Sequence, residues 1–497
     1  MAQFRVRLPR LVPLALLLAL SCDPPGTRSL PSEGLAGICA TPRPGTTDRQ
    51  GTLADEKAWL RAWTDDLYLW YRDVAARTDL DPTRYATAQD YFEVLKSPLL
   101  TASGREKDQL HLAYPTPVWE ALARGISPGY GMGVILVSSS TPRKAMVAYV
   151  EPDTAAASAG VGRGAEILSV DGIDVANGSD TATVDAGLFP TAAGAVHTFE
   201  ILDRGATVPR SITLTSAAVT MNPARHGVLQ SPGGRRVGYI RLDDFMTLAE
   251  GQFADAVTAL QAGQVEELVL DLRYSGGGYN LVASQVGYMI AGPSRTSGRF
   301  FEKVVFNDKY PDRNPVNAGG VLQPFHPYRH FSANPYAREV LPHFLSLRRV
   351  LVITGGETAS ASEALMNGLA GIDVPIVQIG GATRGRPHGS FAWDNCDTTY
   401  LSIQYVVQNA KGFADYADGF VPGGAGPAAF PGCAVPDDFL HELGDPAEAR
   451  LAAALSYLDT GACPVLPAPQ AARLRREAEA ERGWSFARPA LRVLMQR

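Results

Sequence analysis

The 497-residue chain has only five cysteines and eight methionines, charged residues make up 19%, and no internal repeat is evident. It contains no Cys-x-x-Cys pair and no His/Cys cluster at metal-ligand spacing, so neither a zinc module nor a dithiol redox motif is indicated. His441-Glu442 opens an HExxH pattern, but position 445 is Asp and the pattern stops there. Gly125-Ile-Ser-Pro-Gly129 satisfies GxSxG without a strand-to-helix context. No Lys/Arg block occurs away from the extreme ends, and the net charge is −6, which argues against a nucleic-acid partner. No metal or organic cofactor is implied.

What is present is an apolar content of 45%, enough for a large core shared by several domains. Arg5, Arg7 and Arg10 precede an apolar run from Leu11 to Leu20 that is too short for a permanent membrane span. Ala19-Leu20-Ser21-Cys22 follows and resembles a bacterial lipoprotein cleavage box, which would lipidate Cys22. Ordinary secretion is the alternative; both export the chain to the cell envelope, facing the periplasm or the exterior. Without Cys22, Cys39, Cys396, Cys433 and Cys463 remain, a set that suggests two disulfides in an exported protein.

Residues 22–50 are rich in Pro, Gly, Ser and Thr and read as a tether. Trp59, Trp63, Leu67, Trp70 and Tyr71 then recur at helical spacing, which points to a core-facing helix from Leu53 to about Val74. Val237–Leu242, Glu267–Leu272, Val350–Thr354 and Val374–Ile379 are Val/Ile/Leu-rich strands. Phe253–Ala262 and Ser362–Leu369 read as helices, giving an α/β domain. The long stretch Phe300–His343 is expected to line a substrate channel. Pro446–Leu458 is an amphipathic helix, and the charged end from Gln470 reads as peripheral.

Gly129-Tyr130-Gly131-Met132-Gly133-Val134, followed by the run Ala159-Gly160 to Glu166-Ile-Leu-Ser-Val-Asp-Gly172, resembles a PDZ domain of the form found in bacterial proteases. The resemblance implies that Tyr130, Gly131, Met132, Gly133 and Val134 hold a peptide C-terminus. Gly-rich backbone exposes N–H donors to a carboxylate, and the peptide adds as a strand to the sheet edge.

In the α/β region, Val350–Thr354 leads through a Gly turn into Thr358-Ala-Ser-Ala-Ser-Glu363. This small-residue cluster puts a serine hydroxyl and backbone N–H groups at a helix start, where an oxyanion could be held. Ser360 is the best nucleophile candidate. Together with Leu268–Gly278 and Ile379-Gly-Gly-Ala-Thr-Arg-Gly-Arg-Pro387, this segment is similar to the blocks of the S41 peptidases, the C-terminal processing proteases and their tricorn-like relatives. The resemblance implies a Ser360 nucleophile with an oxyanion hole from the N–H groups of Ala361 and Gly277. Asp271 and Arg273 read as structural. The family's lysine base is replaced by Arg386, which stays protonated at any useful pH. The tricorn-like branch uses a histidine before the PDZ module and a late carboxylate, which here implies His111 with Asp415 or Asp418. His388 is a rival base, and Arg386 becomes a substrate-carboxylate or oxyanion contact.

The expected architecture is thus α/β and multidomain. A signal peptide (1–21) and tether (22–50) precede an N-terminal helical domain (51–127), a small β-rich PDZ domain (128–217), an S41 catalytic domain of the ClpP/crotonase-like α/β type (218–434) and a C-terminal helical extension (435–497). The expected disulfides are Cys396–Cys433 and Cys39–Cys463. The expected activity is an exported serine endopeptidase acting on protein or peptide substrates and anchored to the membrane through Cys22. The alternatives are a catalytically silent peptide-binding scaffold and, more remotely, a carrier of an apolar ligand.

Overall fold

The computed structural model describes residues 30–487 apart from 102, 318, 333–336, 345–346, 465–467 and 484. The targeting segment and Cys22 lie outside them. Helix α1 (Leu53–Leu67) starts from Thr52, whose hydroxyl accepts the Asp55 N–H while the Asp55 carboxylate accepts the Thr52 N–H. Its Trp59, Leu60, Trp63 and Leu67 are buried, as the aromatic stripe requires. The chain turns away at Tyr68, so the expected single helix to Val74 is broken. Residues 30–50 are no free tether. Leu30 and Ser32 are buried, the Ser32 N–H donates to Asp66, and Ile38–Cys39 pairs with Arg49–Gln50.

A separate β module follows, made of β1 (Met132–Ser138), β2 (Lys144–Val150), β3 (Glu166–Val170), β4 (Val196–Leu202) and β5 (Arg210–Thr215), in the spatial order β5-β4-β3-β2-β1. Its own core includes Val134, Leu136, Val147, Ile167, Phe199 and Ile201.

The largest α/β layer is a six-stranded sheet of β6 (Ala224–Gln230), β7 (Arg236–Leu242), β8 (Glu267–Asp271), β9 (Val350–Thr354), β10 (Ile376–Gly380) and β11 (Gly432–Ala434). The strands lie in chain order; β6 runs antiparallel to β7 and the rest are parallel. Every residue of β8, β9 and β10 is buried, because both faces are covered. One face packs against α2 (Thr247–Ala262), α3 (Asn280–Ala291) and α4 (Ala361–Gly371) through Leu268, Leu270 and Val352. The other packs Val269, Leu351 and Ile353 against Leu451, Leu455 and Leu458 of α5 (Ala449–Thr460). The period-2 alternation of strand side chains divides these residues between two cores.

Buried charge ties the layers together. Arg273, just past β8, bonds Asp271 at 3.0 Å, and Asp437 and Glu448 at 2.8 Å each. Asp437 also accepts from Arg163 of the β module at 2.8 Å. The structural reading of Asp271 and Arg273 therefore holds. The C-terminal segment is not peripheral. Glu481 is buried, pairs with Arg450, and accepts the Asp437 N–H at 2.7 Å. Past it, β12 (Ser485–Ala487) adds antiparallel to β1.

The disulfides are Cys39–Cys396 and Cys433–Cys463, not the expected pairs. Cys396 sits in the turn between the strands Trp393–Asn395 and Thr398–Leu401, and the neighbouring Asn395 takes the Gly37 N–H. Cys463 follows α5, which packs on the sheet face that contains Cys433 of β11. Spatial neighbours, not chain ends, decide the pairing. Peptide mapping without reductant should recover these two links, and a Cys39–Cys463 peptide would refute them. Replacing Cys39 and Cys396 together with serine should cost about 2–5 kcal/mol in chemical denaturation.

Candidate active site

The site lies beyond the C-terminal ends of β8 and β9, where parallel α/β sheets open into a crevice. After β9 the chain turns through Gly355-Gly356 and is stitched to the loop that follows β8. The Thr358 hydroxyl donates to the Leu272 carbonyl at 2.8 Å, the Ala359 N–H to the Ser275 carbonyl at 3.1 Å, and the Ser362 hydroxyl to that same carbonyl at 3.0 Å. Ser360 then adopts φ 55° and ψ −115° immediately before α4. A non-glycine residue held there stores about 1–3 kcal/mol of strain, which the surrounding bonds must sustain.

Glu363 supplies much of that restraint. Its fully buried carboxylate accepts the N–H of Ser360 at 3.0 Å, of Gly385 at 2.7 Å and of Arg386 at 2.8 Å, and the Thr383 hydroxyl at 2.5 Å. Burial pushes this carboxyl above its ordinary range, against the pull of those hydrogen bonds. Glu363 thereby holds the nucleophile turn and the Arg386 loop in one register.

Gly277 has φ +109°, and a Cβ there would fall 2.7 Å from Ser360 Cβ and 3.2 Å from the Ala361 nitrogen. The missing side chain is what lets this backbone pass against Ser360. Ala361 is the first residue of α4, so its N–H has no acceptor within the helix. Its N–H lies at the positive end of the helix dipole.

A cavity of about 980 Å³ is lined by Ser360, Gly277, Arg386, His388, Asp415 and Asp418. Trp70, Trp119, Leu401, Phe391 and Tyr405 supply apolar wall. The expected channel segment contributes Glu302, Val304, His326 and His330. Burial, with Arg384 alongside, lowers the Arg386 guanidinium to about 10, so it remains a cation at neutral pH. Its Nε is buried and, among the described residues, has no hydrogen-bond partner. Burial also holds the His388 imidazole down at about 4; its ring meets Trp70 edge-on at 4.9 Å.

The expected His111 triad is not assembled. His111 does not line the cavity: its side chain is 2% exposed, its Nε2 bonds the Phe92 carbonyl at 2.8 Å, and its ring stacks on Phe92 at 3.8 Å. Its Nδ1 faces Asp108 at 3.4 Å, and Tyr68 donates to the same carboxylate at 2.6 Å. Burial resists ionisation of Asp108, yet His111 and Tyr68 hold it below its ordinary range. Asp418 reaches the cavity and is engaged by Arg105 at 3.0 Å and by Ser103. Asp415 lines the cavity. Tyr130–Val134 belong to the β module and are not among the lining residues; the Tyr130 hydroxyl donates to the Gly187 carbonyl at 3.0 Å.

Sequence reasoning passed over Glu302 and Glu363. Glu302 is fully buried on the strand Phe300–Val305, bonded by Asn280 at 3.0 Å, and raised by burial to about 7. A glutamate alternating with Phe300 and Val304 on one face of the strand is the available signal.

Residues 236–392 match the peptidase family S41 profile. The carboxyl-terminal-processing protease of Synechocystis sp. is 32% identical over 23% of this chain, and carboxyl-terminal-processing peptidase 2 of Arabidopsis thaliana is 28% identical over 30%. These alignments take in 26% and 29% of the relatives' own length. A crystal structure assigned to the S41 proteases, from Bacteroides fragilis, superposes with a TM-score of 0.58 at 22% identity, covering 80% of this chain and 96% of that one. The class is therefore an α/β S41-protease fold. This chain carries a peptidase family S41 domain, and the Ser360 turn and Arg386 loop lie within the matched residues.

His111→Ala should lower stability by about 1–3 kcal/mol in a denaturant titration, because it removes a buried stacked ring, while Ser360 remains reactive. Unchanged stability with lost Ser360 reactivity would return His111 to the site.

Proposed function

We propose that this chain is an exported serine endopeptidase that acylates at Ser360. The observation that carries the reading is the left-handed backbone of Ser360 at the start of α4, with Gly277 packed against it at the wall of a large, mostly apolar cavity. In the proposed reaction Ser360 Oγ attacks the scissile carbonyl, and the N–H groups of Gly277 and Ala361 hold the oxyanion. Arg386 cannot accept the serine proton, so His388 takes it and returns it to the leaving amine. His388 shares the cavity with Ser360, lies two residues beyond the Arg386 amide that Glu363 fixes, and is neutral above about pH 4. A cation with an unpartnered Nε suits Arg386 to a substrate carboxylate.

The β module is proposed to be a PDZ domain that presents peptide C-termini through Tyr130–Val134. Export is supported by the two disulfides, which persist in oxidising compartments. Cys22 is the proposed lipid attachment site. Arg386 at the lysine position also motivates the second reading, a catalytically silent peptide-binding protein.

Fluorophosphonate treatment followed by mass spectrometry separates the two. One adduct on Ser360, absent from Ser360→Ala, is expected; no adduct on folded protein would sink the enzymatic reading. His388→Ala should slow labelling by about 10²–10⁴-fold, the usual worth of a general base. The pH profile carries the sign of the shift. A buried imidazole with a lowered pKa is base-competent above about 4, so labelling should be flat from about pH 5.5 upward and fall only near pH 4. An inflection near 6.5 that survives Glu302→Gln would contradict the assignment.

A further inference from the structure

The β module ends on β1, and among the described residues the only strand on the outer side of β1 is β12 from the far end of the same chain. Ser485 pairs with Leu136, Phe486 with Ile135 and Ala487 with Val134, antiparallel. The segment thus runs toward the start of β1 and the Tyr130–Gly131 turn before it. It covers three residues of a seven-residue strand, so Met132 and Gly133 lie outside this pairing. Without β12, β1 would be an open edge, a row of backbone donors and acceptors that templates any extended peptide.

The approach of β12 is fixed from the other side. Glu481, four residues earlier, is buried against Arg450 and the Asp437 N–H. An added Cβ on Gly381, at the end of β10, would fall 3.0 Å from its carboxylate. The strap is therefore rooted beneath the sheet ends that carry the Ser360 turn, and it reaches the β1 edge within a few residues. A tether this short gives β12 an effective concentration of about millimolar at the edge. A three-residue ladder is itself weak enough to exchange.

We propose that the outer edge of β1 is a strand-accepting site for extended peptides, and that its resident occupant is the chain's own Ser485–Ala487 segment. An incoming peptide must displace that segment before it can pair. This rests on the reading of the β module as a peptide acceptor and is independent of acylation at Ser360. Its test measures no turnover, so its failure is distinct from failure of the labelling experiment.

The full chain is compared with a variant carrying Phe486→Pro and Ala487→Pro. In an antiparallel ladder adjacent residues alternate in direction, so one of the two prolines must remove a donor facing β1. Two readouts are taken: amide exchange of Val134–Leu136, and anisotropy of a fluorescein-labelled synthetic peptide with the sequence of residues 485–497. If β12 fills the edge more than nine-tenths of the time, release should tighten peptide binding at least tenfold. Exchange at Val134–Leu136 should quicken in the variant and slow again when peptide is added. A chain ending at Gly483, with native thermal unfolding, should behave as the proline variant does. Equal peptide affinity for both chains, unchanged exchange, or no binding to either opened form would overturn the proposal.

Discussion

One buried cation, Arg273, sets the relative placement of the structure's parts. Its guanidinium joins the end of β8 through Asp271, the segment before α5 through Asp437, and the N-cap of α5 through Glu448. Through Asp437 the contact extends to Arg163 and the β module. Ions taken this far from water are tolerable only when every donor and acceptor is matched. Removing one partner of such a set commonly costs about 3–5 kcal/mol, because the others are left buried and unpaired. The network also explains why Arg273 immediately precedes the loop that bears Gly277. The ion pairs fix the strand end, and the glycines beyond it inherit that position.

Glu363 does for the nucleophile turn what Arg273 does for the domains. Burial pushes the Glu363 carboxyl up, and the three backbone N–H groups and the hydroxyl that converge on it oppose that push. Its hold on both Ser360 and Arg386 couples the strained turn to the loop that bears His388. That coupling runs through the backbone and does not depend on which side chain residue 386 carries. The loop's geometry is set by backbone donors to Glu363, which no side-chain exchange at residue 386 removes.

The parallel strands could be read from the sequence because burial on both faces writes a continuous apolar run, and the Ser360 turn because small residues must follow a strand that ends at a crevice. His111 illustrates the limit. Its place before the β module matched a pattern, but what decides its role is Phe92 stacked on it and Asp108 beside it, contacts that residue spacing does not encode. Asp418 reached the cavity as expected, yet Arg105, more than three hundred residues earlier, claims its carboxylate. Disulfide pairing failed for the same reason: cysteine spacing carries no record of which surfaces meet. Residues 30–50 have the composition of a linker, and a disulfide with a few buried contacts is enough to hold them in place.

The C-terminal segment brings these constraints together. Its charged, low-hydropathy sequence reads as solvent-exposed, yet Glu481 lies in the core because Arg450 and the Asp437 N–H already demand an anion there. Asp437 is the residue that also binds Arg273 and Arg163, so the strap is held by the same charge cluster that orients the two domains. From that root the chain reaches the β1 edge within a few residues. The strap therefore spans from the charge cluster beneath the sheet ends that bear Ser360 to the outer edge of the β module.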